Sequence, residues 1–187
     1  MGHGGNVIAE LTADHREVEE LFARIEAQPV GHPERRTLVD QLTSELVRHS
    51  VSEEAHLYPA VRRSVADGDE LADKEIADHG TIEGMLKALE ARDAEDPDFN
   101  DLVAKLKFEV AAHVREEEAE LFPKLTASCS PEELDTLGQL VRRAKETAPT
   151  WPHPSMPDAP PANKLLAPGA GLVDRVRDLL ITRDPSS

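Results

Sequence analysis

HSVSEEAHLYP, residues 49–59, and HVREEEAELFP, residues 113–123, follow one pattern. In each, a histidine is followed four residues later by a glutamate, and an aromatic–proline pair closes the stretch. Positions i and i+4 lie on one face of an α-helix, one turn apart, so each stretch presents an imidazole and a carboxylate on the same side. The proline that ends each stretch is expected to kink its helix or open the last turn.

The same spacing recurs on both sides. ADHREVE, residues 13–19, and ADHGTIE, residues 77–83, each place a glutamate four residues after a histidine. His15 and His79, His49 and His113, and Glu53 and Glu117 are all separated by 64 residues. The chain is therefore a two-helix unit written twice, with an approximate two-fold axis expected once folded.

Apolar periodicity supplies the helices that carry these groups. Ile8, Leu11, His15, Val18, Phe22 and Ile25 form a stripe over residues 6–27, and Leu38, Leu42, Leu46, His49, Glu53 and Leu57 form another over 34–64. A third, over 70–91, carries Ile76, His79, Ile82, Glu83, Leu86 and Leu89. The fourth, over 99–127, carries Leu102, Leu106, Val110, His113, Glu117, Leu121 and Leu125. Short polar connections between them predict an all-α fold, an up-down-up-down four-helix bundle with a C-terminal helical extension. The bundle is assigned to residues 1–128 and the extension to 129–187.

Within the extension, Ser130-Pro131-Glu132-Glu133 reads as an N-cap, a proline at the first helical position and a capping glutamate, opening a short helix to about residue 147. Residues 148–163 hold six of the 14 prolines and predict an extended or irregular segment. Leu172, Val173, Val176, Leu179 and Leu180 mark a last amphipathic helix. Its apolar stripe needs cover, so the tail is expected to pack across the bundle or against a second subunit.

Composition agrees with helices and removes several functions. Aromatic residues are only 3% of the chain, so Leu, Val, Ile and Ala must fill the core. A formal charge of -16 opposes approach to phosphate backbones and anionic lipid, and excludes nucleic acid and membranes as expected partners. Cys129 is the single cysteine, no secretory leader is visible, and no run of 18 apolar residues occurs, which together predict a cytoplasmic protein.

The histidines fall in register with the apolar stripes and so point inward. Burying several imidazoles and carboxylates without partners costs several kcal/mol, and neighbouring carboxylates resist ionising together. A pair of cations removes both penalties. The expected metal ligands are His15, His49, His79 and His113 through nitrogen, and Glu53, Glu83 and Glu117 through oxygen. Glu19 is read as an outer acceptor more than a ligand. Mixed imidazole and carboxylate donors suit Fe, Mn or Zn, and two ions about 3.5 Å apart, bridged by Glu53 and Glu117, would use the repeat's symmetry. One such His–Glu pair alone reads as a hydrogen-bonded core couple; four copies favour metal. Asp14 and Asp78 are expected at the surface or helix ends, and Glu54 and Glu118 at helix interfaces or in solvent. Tyr58 and Phe122 are expected to pack, closing the end of the bundle.

On His15, the His49–Glu53 and His113–Glu117 groups, His79 and the Glu-Glu-x-x-Leu-Tyr/Phe-Pro continuations, the chain resembles the hemerythrin-like, or HHE cation-binding, family over about residues 7–127. Its extension is similar to that of actinobacterial members. The resemblance implies a left-handed four-helix bundle around a non-heme centre of two Fe ions with a bridging oxo or hydroxo group. It implies that His15 and His49 hold one iron, His79 and His113 the other, and that Glu53 and Glu117 bridge them. The donor types alone also permit Mn or a mixed metal pair. Oxygen-carrying members offer His-x-x-x-His on the third metal-binding helix, where this chain has His79-x-x-x-Glu83. A carboxylate there adds negative charge, favours ferric iron and argues against reversible oxygen carriage.

The expected function is reaction of a di-iron centre with a small oxidant: dioxygen, hydrogen peroxide or nitric oxide. Peroxide decomposition is its concrete enzymatic form, with Glu83 as the catalytic proton-transfer group. Non-catalytic oxygen or iron binding, sensing or storage is the alternative, and a helical interaction module without metal is the third class. Expected partners are the small diatomic or peroxide ligand and an electron donor, with the chain a monomer or weak dimer.

Overall fold

The computed structural model describes residues 3–148. Most of the proline-rich segment and the last amphipathic helix, residues 149–187, lie outside the described residues. Helix α1 spans Val7–Ala27, with the Asn6 side chain accepting from the Ala9 amide as its N-cap. Helix α2, Glu34–Ser52, runs through a π-helical turn, Glu53–Leu57, into α3, Tyr58–Ser64. Helix α4 spans Gly68–Glu90. Helix α5, Phe99–Glu116, passes through a second π-helical turn, Glu117–Leu121, into α6, Phe122–Ser128. Helix α7, Pro131–Thr147, follows at once. The fold is all-α, a four-helix bundle with an extra helix, as the apolar periodicity predicts.

The two π-helical turns explain how Pro59 and Pro123 are tolerated. Proline has no amide hydrogen, and in a regular helix its ring meets the carbonyl four residues back. Here the amides of Tyr58 and Phe122 instead donate to the carbonyls of Glu53 and Glu117, five residues back, and the wider turn absorbs the proline. The change is more than a kink. Residues five apart sit nearly above one another in such a turn, whereas 3.6 residues per turn would send them to different sides.

Two apolar layers result, with a polar layer between them. One gathers Val18, Phe22 and Ile25 of α1 with Leu38, Leu42 and Leu46 of α2, Leu86 and Leu89 of α4, and Leu106 and Val110 of α5. The other gathers Val7 and Leu11 with Leu57, Tyr58 and Val61, Leu121, Phe122 and Leu125, and Leu134, Leu137 and Val141 of α7. His15, His49, His79 and His113, all buried, lie along the helices between the stretches that supply these layers.

Helix α7 begins with a capping box, Ser130 Oγ accepting from the Glu133 amide and Glu133 accepting from the Ser130 amide. It packs on α1, α2 and the 53–57 turn, so the start of the extension is built onto the bundle wall. At Gly138 an added Cβ would sit 2.8 Å from backbone atoms of Gly5 and Asn6, so only glycine lets α7 approach α1 this closely. No helix among the described residues is long and apolar enough to cross a membrane.

Candidate metal centre

Four helical runs each deliver one imidazole to the polar layer. His15 comes from α1, His49 from α2, His79 from α4 and His113 from α5. Glu53 and Glu117 open the two π-helical turns and are fully buried. Donor atoms of His15, His49, Glu53 and Glu117 lie within 4.8 Å of one another, and so do those of Glu53, His79 and His113. Glu53 divides its oxygens between the groups: Oε1 lies 3.1 Å from His49 Nε2, and Oε2 lies 3.3 Å from His79 Nε2. Glu117 reaches both pairs as well, with Oε2 3.3 Å from His15 Nε2 and 3.7 Å from His113 Nε2.

His15 Nε2, His49 Nε2, Glu53 Oε1 and Glu117 Oε2 are buried and make no hydrogen bond. They stand at ion-pair distances without hydrogen-bond alignment, which is costly for four polar atoms in one place. Two nitrogens and two carboxylate oxygens on a common centre are a donor set for a divalent or trivalent cation, and the orphaned atoms fit that group.

Each ring's other nitrogen meets its own carboxylate. His15 Nδ1 lies 2.8 Å from Glu118, His49 Nδ1 3.4 Å from Asp14, His79 Nδ1 3.0 Å from Glu54 and His113 Nδ1 2.7 Å from Glu75. Donation from Nδ1 to a carboxylate fixes the tautomer and turns a bare Nε2 inward, as metal-binding histidines require. One of these placements differs from the sequence expectation: Asp14 is buried rather than at the surface or a helix end, whereas Glu54 and Glu118 lie at helix interfaces, where each holds a histidine. Glu75 carries no signal in the sequence pattern: it lies four residues before His79 on α4, and only packing brings it to His113 of α5. Asp78 is half-exposed and pairs with Lys74.

Tyr58 is the larger correction. Its hydroxyl donates to Glu117 Oε1 at 3.1 Å and lies 3.4 Å from Glu53 Oε2 and 3.2 Å from His79 Nε2, so it occupies the second donor group instead of merely closing the bundle end. The π-helical turn returns residue 58 to the face of residue 53. A regular 3.6-residue count could not show this; the only signal was the tyrosine just before proline. At the matching repeat position Phe122 stacks on the His15 ring, 5.7 Å between centroids. The two halves of the centre are thus unlike: a hydroxyl on the His79 side, a bare ring face on the His15 side.

Glu83 stands apart from both groups. Its Oε1 pairs with Lys87 Nζ at 3.1 Å, one turn along α4, and neither donor group includes it. Glu19 is exposed and pairs with Arg16.

Charge in the layer follows from burial and pairing. Burial opposes charge on His49, but Glu53 and Asp14 outweigh it and hold the pKa well above 6.5. For His79 the same opposition of burial by Glu53 and Glu54 raises the value to about 9. Burial would raise Glu53, yet His49 and His79 draw it well below the ordinary carboxylate range. Burial, then Glu117 and Glu53, push the Tyr58 hydroxyl well above 10, so it keeps its proton. In the metal-free chain, protons partly take the place of cations.

A cleft between α1 and α5 leads to His15. It encloses about 80 Å³ and is walled by Val18, Phe22, Val110, Ala111 and Val114, with Glu19 and Lys107 beside them.

Three comparisons place this geometry among known proteins. An uncharacterized hemerythrin-like protein of Schizosaccharomyces pombe is 29% identical over 168 residues, covering 89% of this chain and 82% of its own length. A DNA nickase of Nostoc is 30% identical over 143 residues, 75% of this chain but 39% of the nickase. A crystal structure of a hemerythrin HHE cation binding domain-containing protein of Mycobacterium kansasii superposes with a TM-score of 0.67 at 26% identity, covering 76% of this chain and 86% of that one. The profile of the hemerythrin HHE cation binding domain matches residues 6–125, which span the four histidines of the polar layer and both π-helical turns, and the chain belongs to that family.

Proposed function

We propose that the chain holds two iron ions in its polar layer and reacts there with a small oxidant, dioxygen, hydrogen peroxide or nitric oxide. The observation that carries this reading is the set of four buried, unpartnered donor atoms on His15, His49, Glu53 and Glu117. In the proposal His15 and His49 would hold one ion and His79 and His113 the other, with Glu53, whose two oxygens face the two sides, and Glu117, whose Oε2 lies near both, as the shared carboxylates. Once bound, the pair would supply Lewis acidity and electrons to the oxidant.

The chain's own residues then sort the two sides. Tyr58 Oη crowds the His79 side and holds a proton at an atom 3.1 Å from Glu117. The proton-transfer role expected of Glu83 therefore passes to Tyr58 in this proposal, because Glu83 is turned toward Lys87. The His15 side faces the cleft. A space of about 80 Å³ is large enough for a diatomic molecule or peroxide. Its apolar walls favour uncharged oxidants.

The test is oxygen evolution from hydrogen peroxide by the iron-loaded full chain, with Tyr58→Phe and His79→Ala in parallel. Two irons per chain and turnover above the same amount of free iron are expected, reduced in both variants. Turnover no faster than free iron overturns the enzymatic reading, and a reversible oxygen adduct of the reduced protein would assign the centre to binding or sensing.

A further inference from the structure

Lys145 lies near the end of α7, beyond the 6–125 stretch shared with the family, and yet is buried. Its ammonium is shared between two carboxylates of α1: Glu10 Oε1 at 3.0 Å and Asp14 Oδ1 at hydrogen-bond distance. The other oxygen of Asp14, Oδ2, accepts from His49 Nδ1. A continuous line thus runs from α7 through Lys145 and Asp14 to His49. The pseudo-symmetric half is built differently: His113 is held by Glu75, and the described ion pairs of Glu75 include no lysine.

Neighbouring contacts make α7 a fixed anchor. Arg142 donates to the Gly5 carbonyl, Glu10 Oε2 accepts from the amides of His3 and Gly4, and Gly138 sits against the Gly5–Asn6 backbone. His3 Nε2 also lies 3.3 Å from Asp14 Oδ1, so the side chain has a second cationic neighbour when His3 is protonated, but Lys145 is the buried one of the two.

We propose that Lys145 is a positioning residue for the metal centre: by holding Asp14 against His49 Nδ1, it lets the helix after the family domain set how tightly the His15–His49 ion is bound. The inference rests on the reading of these histidines as metal ligands. Loss of an outer partner of a metal-binding histidine weakens affinity about 10–100-fold, which sets the size of the expected effect.

The experiment is anaerobic titration of the full chain with Co(II), followed by visible absorption, with amide hydrogen exchange of the wild type before and after loading. Wild type is expected to take two ions. In Lys145→Met one ion should bind at least tenfold more weakly with the other unchanged, and Lys145→Arg should recover most of the loss. Asp14→Ala should show the same defect, and the double variant no further one, because both act through one contact. Glu10→Gln, which cuts the other arm of Lys145, should lower thermal stability while leaving both affinities alone. Wild-type binding of both ions by Lys145→Met, or equal weakening of both ions matched by Glu10→Gln, overturns the proposal. Should Lys145→Met not fold, wild-type exchange decides: coupling is reciprocal, so loading must slow exchange around residue 145, and unchanged exchange refutes it. If wild type takes up no Co(II), the metal centre itself fails, which is a distinct result.

Discussion

Each inward-facing histidine is held by a carboxylate at Nδ1, and that pairing decides how firmly Nε2 is aimed. Glu118 is itself clamped, accepting from Arg16 at 2.5 Å as well as meeting His15. Glu118→Ala is expected to weaken metal binding about 10–100-fold in a Co(II) titration while leaving the helical circular dichroism unchanged. The protons that stand in for metal give a second expectation. The folded pKa of His79, about 9, lies above its ordinary 6.5, because Glu53 and Glu54 outweigh burial. The protonated form is therefore the one the metal-free fold favours. Its contribution to stability is fully present below about pH 6.5 and is lost as pH rises through about 9. Thermal melts of the metal-free chain should fall across that window. Affinity for the ion held by His79 should rise across it, since that ion must displace the proton.

At the scale of elements, the π-helical turns decide the site and the close helix contacts decide stability. An α-helix continued without interruption from His49 would carry Tyr58 away from Glu53; the turn required by Pro59 brings it back. The same turn before Pro123 places Phe122 on His15, so one repeated backbone feature gives two different neighbours to the two halves. The α3–α4 joint depends on a glycine for a steric reason: a Cβ at Gly68 would sit 2.2 Å from the Val61 carbonyl oxygen. Gly68→Ala is expected to destabilise the protein by about 1–3 kcal/mol through forced backbone movement, seen as a lower thermal midpoint with or without metal.

For the molecule as a whole, the polar layer between two apolar layers holds buried donor atoms that make no hydrogen bond, which costs stability. A ligand bound only by the folded state at about 100 times its Kd adds about 2.7 kcal/mol, which at this chain length raises the melting temperature by about 5–10 °C. Loading is expected to produce a rise of that size that grows slowly with excess metal, and a chelator to reverse it; scanning calorimetry checks both. The formal charge of -16 opposes approach to phosphate backbones, and the likeness to the Nostoc nickase covers only 39% of that larger protein.

Amino-acid order by itself determined the helices, the two-helix repeat and the shared face of His49 with Glu53 and of His113 with Glu117, because those relations are set by a periodicity of 3.6 within a single helix. Tertiary structure alone decided that Asp14, Glu54, Glu75 and Glu118 meet the four Nδ1 atoms, that Tyr58 enters the centre, and that Lys145 reaches Asp14. Those contacts cross between helices, or follow a turn that resets the helical phase, so they depend on the rotation of each helix about its axis. No spacing within one helix encodes that rotation; the packing of the two apolar layers sets it.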